Sequence, residues 1–138
     1  MRALLAMAAL FSSTAYAAII DCAPNSLFKI ENLGFWPDPA VKNSNSTVSF
    51  AYTVPGPDPI TAGTAKYSIK YNFIPLTPTV EDLCKQTTCP ILPGTYNQST
   101  SSDFPNVSGS ITIKIEWFDA ANKPLLCAQI STKVADNK

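Results

Sequence analysis

The stretch Thr47-Val48-Ser49-Phe50-Ala51-Tyr52-Thr53-Val54 sets Val48, Phe50, Tyr52 and Val54 at every second position, with Thr47, Ser49, Ala51 and Thr53 between them. A period of two sends successive side chains to opposite faces of an extended chain, so one face is apolar and the other small and polar. That is the pattern of a half-buried antiparallel strand. Working outward, Ala65 to Phe73 repeats it: Tyr67, Ile69, Tyr71 and Phe73 alternate with Lys66, Ser68, Lys70 and Asn72. Near the C-terminus Ile111, Ile113, Ile115 and Trp117 alternate with Thr112, Lys114 and Glu116. After a turn at Asp119 to Lys123, Leu126, Ala128, Ile130, Thr132 and Val134 share a face, so the two segments read as a long hairpin. Leu27 to Trp36 is less regular. Phe28 and Ile30 fall on one face and Leu33 and Phe35 on the other, which a bulge at Glu31 or Asn32 would realign.

Between these runs stand the proline clusters Trp36-Pro37-Asp38-Pro39, Pro55-Gly56-Pro57-Asp58-Pro59 and Pro75-Leu76-Thr77-Pro78. Proline removes a ladder donor, so they are expected in loops or at sheet edges. Thr79 to Lys85 reads as one helical turn with Thr79 as cap, and no helical period persists elsewhere. Short strands joined by turn clusters and patterned on one face predict an all-β fold of two packed antiparallel sheets.

The 138 residues suit one domain. Charged residues make up 14% of the chain, against roughly 25% in a typical soluble protein, and the formal net charge is zero. No long-range field attracts nucleic acid or another polyanion, so nucleic acid is not an expected partner. The N-terminus runs Met1-Arg2, then an apolar stretch from Ala3 to Phe11, then Ala15-Tyr16-Ala17, a small-x-small pattern of the kind cut by signal peptidase. Residues 1–17 are read as a signal peptide and 18–138 as a single domain, destined for secretion or the endolysosomal lumen.

Cys22, Cys84, Cys89 and Cys127 are an even set in a secreted context, which favours two disulfides; pairing by proximity gives Cys84 with Cys89 and Cys22 with Cys127. A zinc site is the rival, but no C-x-x-C spacing and no histidine support it. Sequons at Asn45, Asn97 and Asn106 lie in polar, turn-like stretches as candidate glycosylation sites. The absence of histidine excludes Ser-His-Asp and Cys-His nucleophilic centres and the commonest general base at neutral pH. Glu81-Asp82 and Glu116 with Asp119 are carboxylate pairs, read here as solvated; no enzyme activity, cofactor or metal is expected.

Tyr71-Asn72-Phe73-Ile74-Pro75, Asp82-Leu83-Cys84 followed by Cys89-Pro90-Ile91, and Ile111 to Trp117 followed by Leu125-Leu126-Cys127 resemble the ML lipid-recognition family. The likeness runs from Cys22 to Val134. It implies a monomeric immunoglobulin-like β-sandwich whose sheets part around an apolar cavity, the same two disulfides, a sterol or phospholipid as ligand, and transient contact with membranes. The ligand would be lined by the shared inward face: Val48, Phe50, Tyr52, Tyr67, Ile69, Tyr71, Phe73, Ile113, Ile115, Trp117 and Ile130. Loops 91–96 and 102–105 would form the mouth, with Tyr96 and Phe104 as gates. Pattern alone also fits a solid core, because both readings use one face. Three functions follow: a lipid carrier, a module presenting lipid to a receptor or defence system, and a filled-core structural sandwich.

Overall fold

Alternation along the chain becomes nine strands in the computed structural model, which describes residues 17–37, 40–103 and 109–134. They are β1 (Ala18–Asp21), β2 (Lys29–Trp36), β3 (Asn45–Val54), β4 (Gly63–Tyr71), β5 (Ile74–Pro75), β6 (Thr79–Asp82), β7 (Gly94–Asp103), β8 (Gly109–Asp119) and β9 (Pro124–Val134). The larger sheet runs β1-β9-β8-β4, with β5 and β6 both paired to the outer edge of β4; the smaller runs β2-β3-β7. All pairings are antiparallel.

The expected hairpin is β8–β9, closed by Asp119, whose Oδ1 accepts from the Ala121 and Lys123 amides. The irregular strand is β2, and its register shifts between Ile30 and Asn32, so Glu31 is the extra residue that brings both halves of the apolar pattern to one face. Both disulfides form as the proximity pairing gave them, Cys22 with Cys127 and Cys84 with Cys89, and no described cysteine is free.

Three readings are corrected. The turn at Thr79 to Lys85 is not one helix capped by Thr79: Thr79–Asp82 is strand β6, drawn onto the open edge of β4. Only Leu83–Lys85 turns as a 3-10 helix, capped by Asp82. Strand β4 stops at Tyr71, because Asn72 and Phe73 adopt φ of 50° and 69° and form the two-residue turn into β5. Finally, Ile91–Tyr96 is not a loop at the rim. Ile91 is a core residue bridged to Ile60, and Gly94 begins β7, which pairs with β3 over its whole length.

The core lies between the sheets. Val48, Phe50, Tyr52 and Val54 from β3 meet Ile111, Ile115 and Trp117 from β8 and Leu126, Ala128 and Ile130 from β9. Its densest part is aromatic: Tyr52 stacks on Phe28 and on Tyr96 at 5.6 Å and meets the Trp117 edge at 5.3 Å, and Phe50 meets Trp117 at 5.7 Å. Along one side the sandwich is closed by β2 against β1 and β9. The opposite side, where β7 faces β4 and β6, is where the packing opens.

Candidate lipid-binding site

An inter-sheet cavity of about 320 Å³ occupies that opening. The smaller sheet contributes Phe35, Ser46, Val48 and Thr100; the larger contributes Tyr67, Ile69, Ile113 and Ile115, with Thr79 and Glu81 from β6 and Gln86 after the 3-10 turn. Register explains the convergence. Tyr67 pairs with Ile115 and Ile69 with Ile113, so the inward positions of β4 and β8 stand side by side, and β6 adds Thr79 opposite Tyr67 and Glu81 opposite Ala65. The cavity is therefore apolar across its middle and polar toward the β6 edge.

Glu81 accepts from the Gln86 side-chain amide, and Gln86 in turn accepts at its carbonyl from the Gln98 amide at 2.8 Å. Glu81 is exposed at the rim of the cavity, a solvated carboxylate as its sequence reading had it. Burial pushes the Tyr67 phenol above its ordinary value, and the nearby Glu81 charge pushes the same way; the Trp117 indole lies close enough to oppose them, short of a formed hydrogen bond. Tyr52 is also raised, first by burial, with the Thr87 hydroxyl at 3.2 Å opposing and Tyr96 adding to the rise. Both phenols are neutral donors at physiological pH.

The inward face read from sequence divides into three. Val48, Tyr67, Ile69, Ile113 and Ile115 stand around the cavity. Phe50, Tyr52, Trp117 and Ile130 are fully packed core, because the aromatic rings of the β3–β8 crossing fill their half of the sandwich. Tyr71 is half-buried and away from the cavity wall, and Phe73 is a correction: it is 83% exposed, since the turn at Asn72 and Phe73 lifts it off the strand. Tyr96 lies in β7, stacked on Tyr52 with its hydroxyl donating to the Leu92 carbonyl at 2.7 Å, the geometry of an anchor. It borders a separate cleft of about 490 Å³ with Thr87, Pro90 and Leu92. Phe104 and the sequon residue Asn106 lie outside the described residues. Asn45 and Asn97 are exposed on strands rather than in turns.

Sequence reading missed Phe35, Ser46, Thr79, Glu81, Gln86 and Thr100. For Ser46 a signal existed: it stands two before Val48, in phase with the inward residues of β3. Thr79 and Glu81 carry no apolar signal, and only their pairing with β4 turns them inward.

The profile of the ML domain matches residues 17–134. The chain belongs to the ML-domain family. A curated relative, named "Putative phosphatidylglycerol/phosphatidylinositol transfer protein 2", from Dictyostelium discoideum, is 26% identical over 129 residues, covering 88% of this chain and 89% of the relative. Among solved structures, a Niemann-Pick type C2 protein from the Japanese carpenter ant superposes with a TM-score of 0.68 at 16% identity, over 86% of this chain and 99% of that one. Chicken MD-1 complexed with lipid IVa gives 0.58 at 14% identity, over 90% and 93%. These two likenesses establish the fold, an immunoglobulin-like sandwich of two antiparallel sheets.

Proposed function

We propose that the protein is a secreted lipid-binding protein that holds a sterol or phospholipid between its sheets and moves it between membranes. The observation that carries this reading is the apolar inter-sheet cavity bounded by Val48, Ile69, Ile113 and Ile115. At about 0.8 kcal/mol per buried methylene, an apolar chain needs such a slot more than any charged contact. Membership of the ML-domain family and the transfer protein named among its relatives support the same reading. A cavity of about 320 Å³ is about ten times the volume of a liquid water molecule, which weighs against a filled-core sandwich.

Transfer needs contact with a bilayer, and an apolar surface adjoins the cavity. Phe73, Ile74 and Leu76 are 83%, 63% and 51% exposed at and just after the β4–β5 hairpin; the Leu76 amide donates to the carbonyl of Ile69, which reaches both the cavity and solvent. Two disulfides and the leader-like N-terminus support secretion. The test is mass spectrometry of lipids that co-purify with secreted protein, followed by delipidation and titration with a fluorescent sterol and labelled phospholipids. Binding of neither probe refutes the reading. The exposed patch also suits a module that presents lipid to a receptor, and a stable stoichiometric partner in a pull-down would identify that role instead.

A further inference from the structure

Ser46 occupies an inward position of β3, two residues before Val48, and is 6% exposed. Its Oγ borders the cavity and has no hydrogen-bond partner among the described residues. Buried hydroxyls are nearly always paired, because desolvating one without a partner is a standing penalty, and an exception at a cavity wall points to a partner that arrives with the ligand. The surroundings define its chemistry. Among the described residues no lysine or arginine lines the cavity, and the one charged group there is the Glu81 carboxylate, exposed at the rim and accepting from the Gln86 side-chain amide. The cavity is also about twice the ~150 Å³ that encloses benzene, so with the sheets as they stand it holds about a dozen carbon atoms, one chain or a small ring system.

We infer that the lipid enters with an uncharged oxygen, a hydroxyl or a carbonyl, that hydrogen-bonds Ser46 Oγ, and that Glu81 at the rim disfavours an anionic group beside it. The inference rests on the lipid-binding reading and sharpens it: a neutral polar group is drawn in, and an anionic one is disfavoured. Serine suits either oxygen, donating to a carbonyl or accepting from a hydroxyl.

The test uses delipidated full-length protein and displacement of the fluorophore N-phenyl-1-naphthylamine by 1-decanol, decane and decanoate at pH 7.4. Ser46→Ala is expected to weaken 1-decanol about fivefold, the worth of about one net hydrogen bond, and to leave decane within about twofold. Ser46→Thr, which keeps the hydroxyl, retains decanol binding. Glu81→Gln is expected to tighten decanoate about threefold and leave decanol unchanged, as removal of a like charge at a solvent-exposed rim requires. If Ser46→Ala weakens decanol and decane equally, or changes neither, or if Glu81→Gln leaves decanoate as it was, the inference is overturned while lipid binding stands. If the wild type displaces the fluorophore with none of the three and binds neither sterol nor phosphatidylglycerol, the lipid-binding reading itself fails.

Discussion

Ile113→Trp offers the sharpest check on where a lipid sits. Ile113 is half-buried in the cavity wall, paired across the larger sheet with Ile69 and Ile130, so a bulkier side chain there projects into open space rather than into the packed aromatic core. Tryptophan adds about six non-hydrogen atoms, close to half of the dozen or so carbons that about 320 Å³ can hold. At about 0.8 kcal/mol for each displaced methylene the loss is on the order of 5 kcal/mol, more than a thousandfold in affinity. Filling existing space leaves folding stability within about 1 kcal/mol of wild type, since no side chain is forced off its rotamer. Urea unfolding of both delipidated proteins checks the second number, and titration with a fluorescent acyl probe checks the first. A folded Ile113→Trp protein that binds the probe with wild-type affinity would refute the assignment, and the separate cleft beside Tyr96, Thr87 and Leu92 would then be the place to look.

Removing the Cys22–Cys127 disulfide, which spans 105 residues, should cost on the order of 4 to 5 kcal/mol by chemical denaturation. Removing Cys84–Cys89, which spans 5, should cost about half that. Tyr52 and Tyr67 hold their protons above the ordinary phenol range when folded, so the unfolded chain releases protons first; stability is full below about pH 10 and falls as pH rises beyond it. Unfolding measured from pH 9 to 11.5 should therefore show a shallower decline in Tyr52→Phe/Tyr67→Phe than in wild type, and identical slopes would contradict the shifts. Phe73→Ser with Ile74→Ser should slow lipid transfer between vesicles at least severalfold while changing stability by less than about 0.5 kcal/mol each, because both side chains are exposed. An unchanged transfer rate would detach the hairpin from function.

Much of the sandwich was legible in the chain because its inward faces advertise themselves. Val48 to Val54, Ile111 to Trp117 and Leu126 to Val134 alternate cleanly, and each is a strand with that face buried. Strand β7 was not legible. Gly94 to Asp103 carries Tyr96 as its one large apolar residue among threonines, serines and amides, and it is a strand because β3 offers a full ladder of partners. Phe73 misled for the opposite reason. Its spacing continues the β4 alternation, but the left-handed turn at Asn72 and Phe73 ends the strand and turns an inward residue into an exposed tip.

The order of residues alone carried what is local: period-two faces, proline-marked edges, a bulge at Glu31 or Asn32, and cysteines whose spacing allows a short and a long disulfide. Which part of the shared inward face is solid and which is hollow was decided only in three dimensions. Alternation records that a side chain points between the sheets, not how far away the opposite sheet lies. Phe50, Tyr52 and Trp117 interlock where aromatic rings meet, whereas Val48, Ile113 and Ile115 border the open space that Thr100 of β7 and Thr79 of β6 also line. Ser46 follows the alternation of β3, but Thr79 and Glu81 reach that space through strand register, a property of paired backbones that no single segment carries.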